Sequence, residues 1–288
     1  MQLITGKTKL LGVIGYPIEH SLSPVMHNAA ISTLGLDFVY LPLPIQPTDL
    51  DVAIAGFAAI GLQGFNVTIP HKQAIIPLLF EVSKLAQAVG AVNTVWRTEN
   101  GWSGTNTDVE GFIAPLKLYP RDWSQISPVI LGYGGAARAV VMGCIQLGCR
   151  EVRIVGRNLQ KLHQFQQSWI EAPLPVNLGI YAWEDLPKLL PHADLIVNTT
   201  PVGMYPNVDQ SPVDVATMQQ LKAGAIAYDL IYTPNPTQFL KQAKQQGAIA
   251  IDGLEMLVQQ GAAALNIWTG QTPPVDQMRQ SLQQHLGL

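Results

Sequence analysis

The segment Gly132-Tyr133-Gly134-Gly135-Ala136-Ala137 follows the apolar run Pro128-Val129-Ile130-Leu131 and opens a helical pattern. Small residues stand where a G-x-G-x-x-A turn needs them. Gly132 permits the tight turn, Gly134 lets a bulky anion approach the backbone, and Ala137 lets helix and strand pack closely. The free N–H groups at the helix start, including those near Gly135 and Ala136, then suit phosphate oxygens. Glycine-rich turns are common, but here the strand-turn-helix context is met, and it predicts a dinucleotide site. The next strand ends in Val155-Gly156-Arg157-Asn158-Leu159-Gln160-Lys161, with no acid to accept from a ribose 2′-OH. Arg157 offers a charge-assisted fork to a 2′-phosphate, with Lys161 one helical turn on. Such a contact is worth about 1.5–3 kcal/mol. Cations at a helix start oppose its dipole unless an anion joins them, so the expected nucleotide is NADP.

Other polar groups cluster at turns. His20-Ser21-Leu22-Ser23-Pro24 offers two hydroxyls at a helix start, either for a carboxylate or, on local pattern the preferred reading, with Ser23 as an N-cap. Asn66-Val67-Thr68-Ile69-Pro70-His71-Lys72, Gly90-Ala91-Val92-Asn93-Thr94 and Gly104-Thr105-Asn106-Thr107-Asp108 each resemble ordinary turn chemistry when taken singly. Asn198-Thr199-Thr200-Pro201-Val202-Gly203-Met204 follows a further strand, at the end where an α/β sheet holds its ligand. The histidines are scattered, and His71, beside Lys72, is a minor candidate whose ring is expected to point elsewhere. Cys144 and Cys149 match no metal or redox spacing and read as free thiols. No metal-ligand cluster is expected.

The elements that must position these groups alternate along the chain. Strands are expected at 10–15, 38–41, 64–67 and 91–96, with helices at 24–34 and 50–60 between them. A second set has a helix at 109–118, a strand at 128–131, a helix at 136–147 and a strand at 151–155. Strands at 195–198 and 225–228, and helices at 238–246 and 253–268, follow, with a short terminal helix after Pro273-Pro274. Strand-first units with tight turns predict α/β architecture twice over, each built on a mostly parallel sheet. The 288 residues are 48% hydrophobic and only 13% charged, yet no apolar run approaches the ~20 residues of a membrane span. The start, from Met1 to Lys7, lacks the apolar core of a signal peptide, so a cytoplasmic protein is expected. A net charge of -3 without basic clusters gives nucleic acid no footing and points to a small-molecule partner.

The order of these segments resembles the shikimate dehydrogenase family along nearly the whole chain. The matched elements are Gly15-Tyr16-Pro17 to Asn28, Asn66 to Lys72, Gly90 to Thr94, Asn106-Thr107-Asp108, Gly132 to Ala139 and Asn198 to Met204. Tyr228-Asp229-Leu230-Ile231-Tyr232 and Gly253 to Ala262, ending near Trp268-Thr269-Gly270, complete them. The resemblance implies two α/β domains flanking a cleft, the second a Rossmann-type dinucleotide-binding domain. Residues 1–107 with 253–288 would form the substrate-binding and catalytic domain, and 108–252 the NADP-binding one. It implies that Ser21 and Ser23 hold a substrate carboxylate with Tyr232 near it. Thr68, Lys72, Asn93, Asp108 and Gln260 would contact ring hydroxyls. NADP would lie against Gly132, Gly134, Gly135, Ala136, Ala137, Arg157, Asn158, Lys161, Thr199, Thr200, Met204, Leu230 and Gly253. A homodimer is the assembly kept in view. Departures from the family's usual residues are Gly156 for Asn, Asn158 for Thr, Pro201 for Ser, and Leu265 for an aromatic.

The implied reaction is reduction of 3-dehydroshikimate to shikimate with NADPH, in aromatic amino-acid biosynthesis. Reducing a ketone by hydride places negative charge on its oxygen, and a positioned acid must supply a proton. Lys72 is the expected acid and Asp108 its partner. A quinate/shikimate dehydrogenase using NAD is the nearest alternative, and a non-catalytic ligand-binding protein on the same fold is another.

Overall fold

The computed structural model describes residues 3–170 and 176–288, so Met1 and Gln2 of the segment read for a leader lie outside it. The chain forms two compact units, 1–111 with 257–288, and 112–256.

The first unit opens with β1 (Lys9–Gly15), α1 (Ser23–Thr33), β2 (Phe38–Pro44), α2 (Leu50–Ala59), β3 (Gly64–Val67) and α3 (His71–Ala74). Next come β4 (Glu81–Val82), α4 (Lys84–Val89), β5 (Thr94–Thr98), β6 (Gly101–Thr105) and α5 (Asp108–Leu116), within which the division falls. Its sheet runs β2-β1-β3-β5-β6-β4. The β1 strand is central and apolar, with parallel partners on both sides, so every residue from Leu11 to Gly15 is buried. Edge strand β2 carries Pro42 and Pro44, which cannot donate to a further strand. The mostly parallel sheet expected here is found, with β5 alone reversed, antiparallel to β3 and to β6. The strand expected at 91–96 is β5, displaced to Thr94–Thr98, and a two-residue turn closed by Thr98 opposite Gly101 at φ +136 leads it into β6, a strand the sequence reading did not expect. Asn100-Gly101 is the local signal for that hairpin. Phe65 packs edge-on between Phe57 and Trp102 to fill the core beneath.

The second unit continues with β7 (Val129–Leu131), α6 (Gly135–Gln146), β8 (Val152–Gly156), α7 (Leu159–Gln167), β9 (Leu178–Ala182) and α8 (Leu186–Leu189). It closes with β10 (Leu195–Asn198), α9 (Val215–Met218), β11 (Ile226–Asp229), α10 (Gln238–Gln245) and β12 (Ile249–Ile251). The order β12-β11-β10-β7-β8-β9 is parallel throughout. Two triplets of strands therefore grow outward from the β7/β10 pair, the Rossmann order, and the chain reverses direction there. Val129, Leu131, Val155, Ile196, Ala227 and Phe239 belong to one buried cluster beneath this sheet. The edge strands β9 and β12 escaped the sequence reading because they are short and only half-buried, which blurs their hydrophobic pattern. Cys144 is buried and Cys149 half-buried, both as free thiols, and burial pushes the Cys144 thiol up.

Helices α11 (Gly253–Thr269) and α12 (Val275–Leu286) end the chain, and from Leu257 onward they belong to the first unit. Helix α12 packs along α1. Trp268 donates its indole N–H to Val95 O at 2.9 Å, and its ring fills the space where a side chain on Gly64 would stand. No described helix is long and apolar enough to cross a membrane.

Candidate active site and nucleotide cradle

In the first unit the site is built at the ends of β1, β3 and β5. Strand β3 runs into Thr68, whose N–H donates to Ile14 O at 2.9 Å, and the chain then turns into the short helix bearing Lys72. Gly15 is required by that approach, since a Cβ there would lie 2.5 Å from Thr68 Cγ2. The Lys72 carbonyl accepts from Val92 N at 2.8 Å, which ties the lysine to the segment carrying Asn93. Asp108 is the first residue of α5 and its backbone N–H donates to Asn106 Oδ1 at 3.0 Å.

Lys72 Nζ donates to Asp108 Oδ2 at 2.5 Å, with side chains 26% and 13% exposed. The other carboxylate oxygen, Oδ1, accepts from Asn93 Nδ2 at 2.8 Å. Asn93 cannot turn over, because its Oδ1 already accepts from Thr107 N at 2.7 Å and from Thr94 Oγ1 at 3.0 Å. Its Nδ2 also faces Thr107 Oγ1 at 3.0 Å and Gln260 Oε1 at 3.4 Å. The structure thus brings together Lys72, Asn93, Asp108 and Gln260, four residues expected from the sequence.

It also shows what stands behind them. Tyr40 OH donates to Asn66 Oδ1 at 2.7 Å, and Asn66 Nδ2 donates to Thr94 Oγ1 at 3.1 Å and to Asn93 O at 3.0 Å. Thr94 Oγ1 lies 3.0 Å from Thr107 Oγ1. A continuous buried network therefore runs from Tyr40 through Asn66 and Thr94 to the amide that holds Asp108. Such networks specify one geometry when every member is satisfied. Thr94, Thr107, Asn66 and Tyr40 were not singled out from the sequence. Asn66 pairs with Thr94 across β3 and β5, but that register is invisible until the strands are placed. His27 stacks on Tyr40 with ring centroids 4.2 Å apart. Burial lowers its pKa to about 3, against an opposing contribution from Asn66, so the ring is neutral. Burial likewise raises the Tyr40 phenol, against a hydrogen bond from Ser23.

The capping reading of Ser23 is corrected. Leu22 holds the N-cap position without a side-chain cap, Pro24 lies in the first turn, and Ser23 is already helical and buried. Ser21 is half-buried, and its Oγ meets Ser23 N only at 3.4 Å. Ser21 Oγ takes the Ser23 N–H, Pro24 has none and Val25 N donates to Leu22 O at 3.0 Å, so the two hydroxyls, and not free helix N–H groups, are what this start offers an anion. His71 turns away, as expected, with Nε2 at 2.8 Å from Ile45 O. Tyr232 lies in the second unit and is half-buried, with burial raising its phenol.

In the second unit the cradle lies at the β7/β10 reversal. Gly132 has φ +101, a conformation that L side chains avoid, and a Cβ there would stand 2.9 Å from Thr199 Oγ1. Thr199 donates to Leu131 O through both its N–H, at 3.0 Å, and its hydroxyl, at 2.7 Å. The two loops are thereby fastened to each other. Gly134 is the N-cap of α6, with no side-chain cap, and nothing lies within 4 Å of a Cβ built at Gly134 or Gly135. Ala136 is exposed beside them and Ala137 is buried against the sheet. Free N–H groups facing open space that a side chain would fill fit a dinucleotide phosphate.

Arg157 and Lys161 are exposed at the start of α7. Asn158 is the helix cap, accepting from Lys161 N at 2.9 Å, so its side chain is already engaged. A side chain at Gly156 would overlap the Tyr133 ring, which accounts for glycine at that departure from the family pattern. The Asn198 loop is anchored from below. Asn198 Oδ1 accepts from Thr200 N at 3.0 Å and Thr200 Oγ1 at 2.7 Å, while its Nδ2 donates to Asp229 Oδ1 at 3.0 Å. Asp229 also accepts from Thr237 Oγ1 at 2.7 Å and Ile231 N at 3.1 Å. Burial raises its pKa to about 6 against those hydrogen bonds. Met204 is exposed and Leu230 half-buried, whereas Gly253 is buried so tightly that a Cβ would run into the Leu230 carbonyl. Close packing requires glycine there.

Residues 13–95 match the shikimate dehydrogenase substrate binding domain, and residues 253–283 match the shikimate 5′-dehydrogenase C-terminal domain. A shikimate dehydrogenase (NADP(+)) from Gloeothece citriformis is 65% identical over 288 residues, covering 100% of both chains. The crystal structure of shikimate dehydrogenase from Aquifex aeolicus has a TM-score of 0.88 at 36% identity, covering 97% of this chain and 99% of that one. Shikimate 5-dehydrogenase from Thermus thermophilus, in complex with NADP(H) and shikimate, has a TM-score of 0.85 at 33% identity over 96% of this chain and 99% of its own.

Proposed function

The chain belongs to the shikimate dehydrogenase family, and from that premise we infer that it reversibly reduces 3-dehydroshikimate to shikimate with NADPH, a step of aromatic amino-acid biosynthesis. The observation that carries the chemistry is the Lys72–Asp108 pair, with one carboxylate oxygen on the ammonium and the other on a locked amide. Bound NADPH supplies the hydride. Lys72 hydrogen-bonds the 3-oxo group and passes a proton to it as negative charge develops there. Asp108 keeps the ammonium aimed, and accepts from a neighbouring ring hydroxyl. Ser21 and Ser23 receive the substrate carboxylate at the start of α1, with Tyr232 near it, and Thr68, Asn93 and Gln260 read the ring hydroxyls. In the second unit the N–H groups around Gly134, Gly135 and Ala136 bind the pyrophosphate, packed against by Gly132 and Ala137. Arg157 and Lys161 take the 2′-phosphate, and Asn158 orders the turn between them. Thr199, Thr200, Met204, Leu230 and Gly253 border the rest of the nucleotide.

Steady-state rates across shikimate, quinate, NADP and NAD test this reading. Shikimate with NADP should give the highest kcat/KM. A higher value with quinate and NAD would replace the assignment by the neighbouring specificity. Absence of NADPH oxidation with 3-dehydroshikimate would leave a ligand-binding protein without turnover. The proposal extends to a cytoplasmic location and a homodimer, which cell fractionation and analytical ultracentrifugation test.

A further inference from the structure

Arg157 is not an isolated surface cation. Strands β8 and β9 pair in parallel up to Gly156 opposite Ala182, so the next residues out, Arg157 and Trp183, leave the same edge of the sheet side by side. The Arg157 guanidinium carbon lies 5.2 Å from the centroid of the Trp183 ring, within the range of a cation–π contact. Trp183 itself is half-buried and packs on the hydrophobic cluster beneath the sheet, which makes its ring a fixed shelf. The backbone beyond Arg157 is set as well, because Asn158 caps α7.

The geometry points to Trp183 as a positioning residue that presents Arg157 to the 2′-phosphate, and so as a determinant of NADP over NAD. The physical argument is one of directions. A guanidinium held over an indole ring is attracted by the ring's π face and spends no N–H donor on a hydrogen-bond acceptor there, so its five donors stay free for a bidentate anion. Among the described residues no carboxylate forms an ion pair with Arg157, so that fork is not already taken. An exposed arginine without a shelf must give up rotamer freedom when it grips a phosphate, and the stack removes part of that cost beforehand. The contribution belongs only to ligands bearing the 2′-phosphate. The inference rests on the NADP reading given above and deepens it.

Titration calorimetry with NADP, NAD, 2′,5′-ADP and 5′-AMP tests it on the full chain, with Trp183→Leu, Trp183→Phe, Arg157→Ala and the Trp183→Leu/Arg157→Ala pair. Trp183→Leu should weaken NADP and 2′,5′-ADP by about three- to fivefold and leave NAD and 5′-AMP within a factor of about two. Trp183→Phe, which keeps an aromatic face, should recover most of the loss. In the Arg157→Ala background the Trp183 substitution should change nothing further. Equal losses for the phosphorylated and unphosphorylated ligands, or an undiminished loss without Arg157, would overturn the role of Trp183. If the unsubstituted chain binds NADP no better than NAD, the cofactor reading itself falls, and the role of Trp183 with it.

Discussion

Replacing Asp108 by Asn changes one atom's chemistry and almost no volume, yet the geometry gives it nowhere comfortable to sit. Asp108 presents Oδ1 to Asn93 Nδ2 at 2.8 Å and Oδ2 to Lys72 Nζ at 2.5 Å. Asn93 is locked by the donors Thr107 N and Thr94 Oγ1, so its Nδ2 must go on facing position 108. An amide there has to turn its oxygen to Asn93 and its NH2 to Lys72, setting donor against ammonium. Two unit charges 4 Å apart attract by about 4 kcal/mol at an effective dielectric of 20. With side chains 26% and 13% exposed, screening and desolvation reduce the net loss to about 1–3 kcal/mol. The fold should survive that. The rate should not, because the ammonium loses its aim, and misplacing a general acid costs about 10²–10³ in kcat, or roughly 3–4 kcal/mol of barrier. The assay is steady-state NADPH oxidation with 3-dehydroshikimate, with kcat and KM resolved and the fold checked by circular dichroism. Most of the loss should fall in kcat. An Asp108→Asn variant that folds and keeps kcat within about threefold of the unsubstituted chain would show that the pair is only a structural ion pair.

Thr94→Val keeps the shape of a fully buried side chain but removes the hydroxyl linking Asn66, Asn93 and Thr107. Denaturant unfolding should show a loss of about 1–2 kcal/mol, with kcat lowered about tenfold, and unchanged turnover would count against a positioning role for the network. The neutral His27, with its pKa lowered to about 3, contributes stability that is present above the unfolded value near 6.5 and lost as pH falls below it. By pH 4.5 the loss should reach about 3 kcal/mol, and a pH-stability curve no flatter for His27→Phe would contradict this. Asp229 behaves in the opposite sense. Its raised pKa of about 6 means that its contribution is present below the unfolded value and lost as pH rises through 6. Its carboxyl carbon resonance should titrate near 6, and a midpoint close to 4 would show that burial does not govern it.

Much of the second unit was legible from residues alone, because its devices are local. Gly132, Gly134 and Ala137 encode a turn, a close approach and a packing contact within six consecutive residues. The missing acid at the tip of β8 and the presence of Arg157 are equally local, and together they select the nucleotide. The Lys72–Asp108 pair was different. Its members sit 36 positions apart, each in a segment that reads as a turn, and only the ordered resemblance singled them out. Tertiary structure decided what surrounds them, namely the antiparallel β3-β5-β6 arrangement, the Asn66–Thr94 register and the locked amide of Asn93. It also set Trp183 beside Arg157 through strand pairing between residues far apart in the chain. The physical reason is the same in each case. A turn or a helix start is specified by neighbours along the chain, whereas a side chain's hydrogen-bond partners are chosen by strand order and register, which no single segment contains.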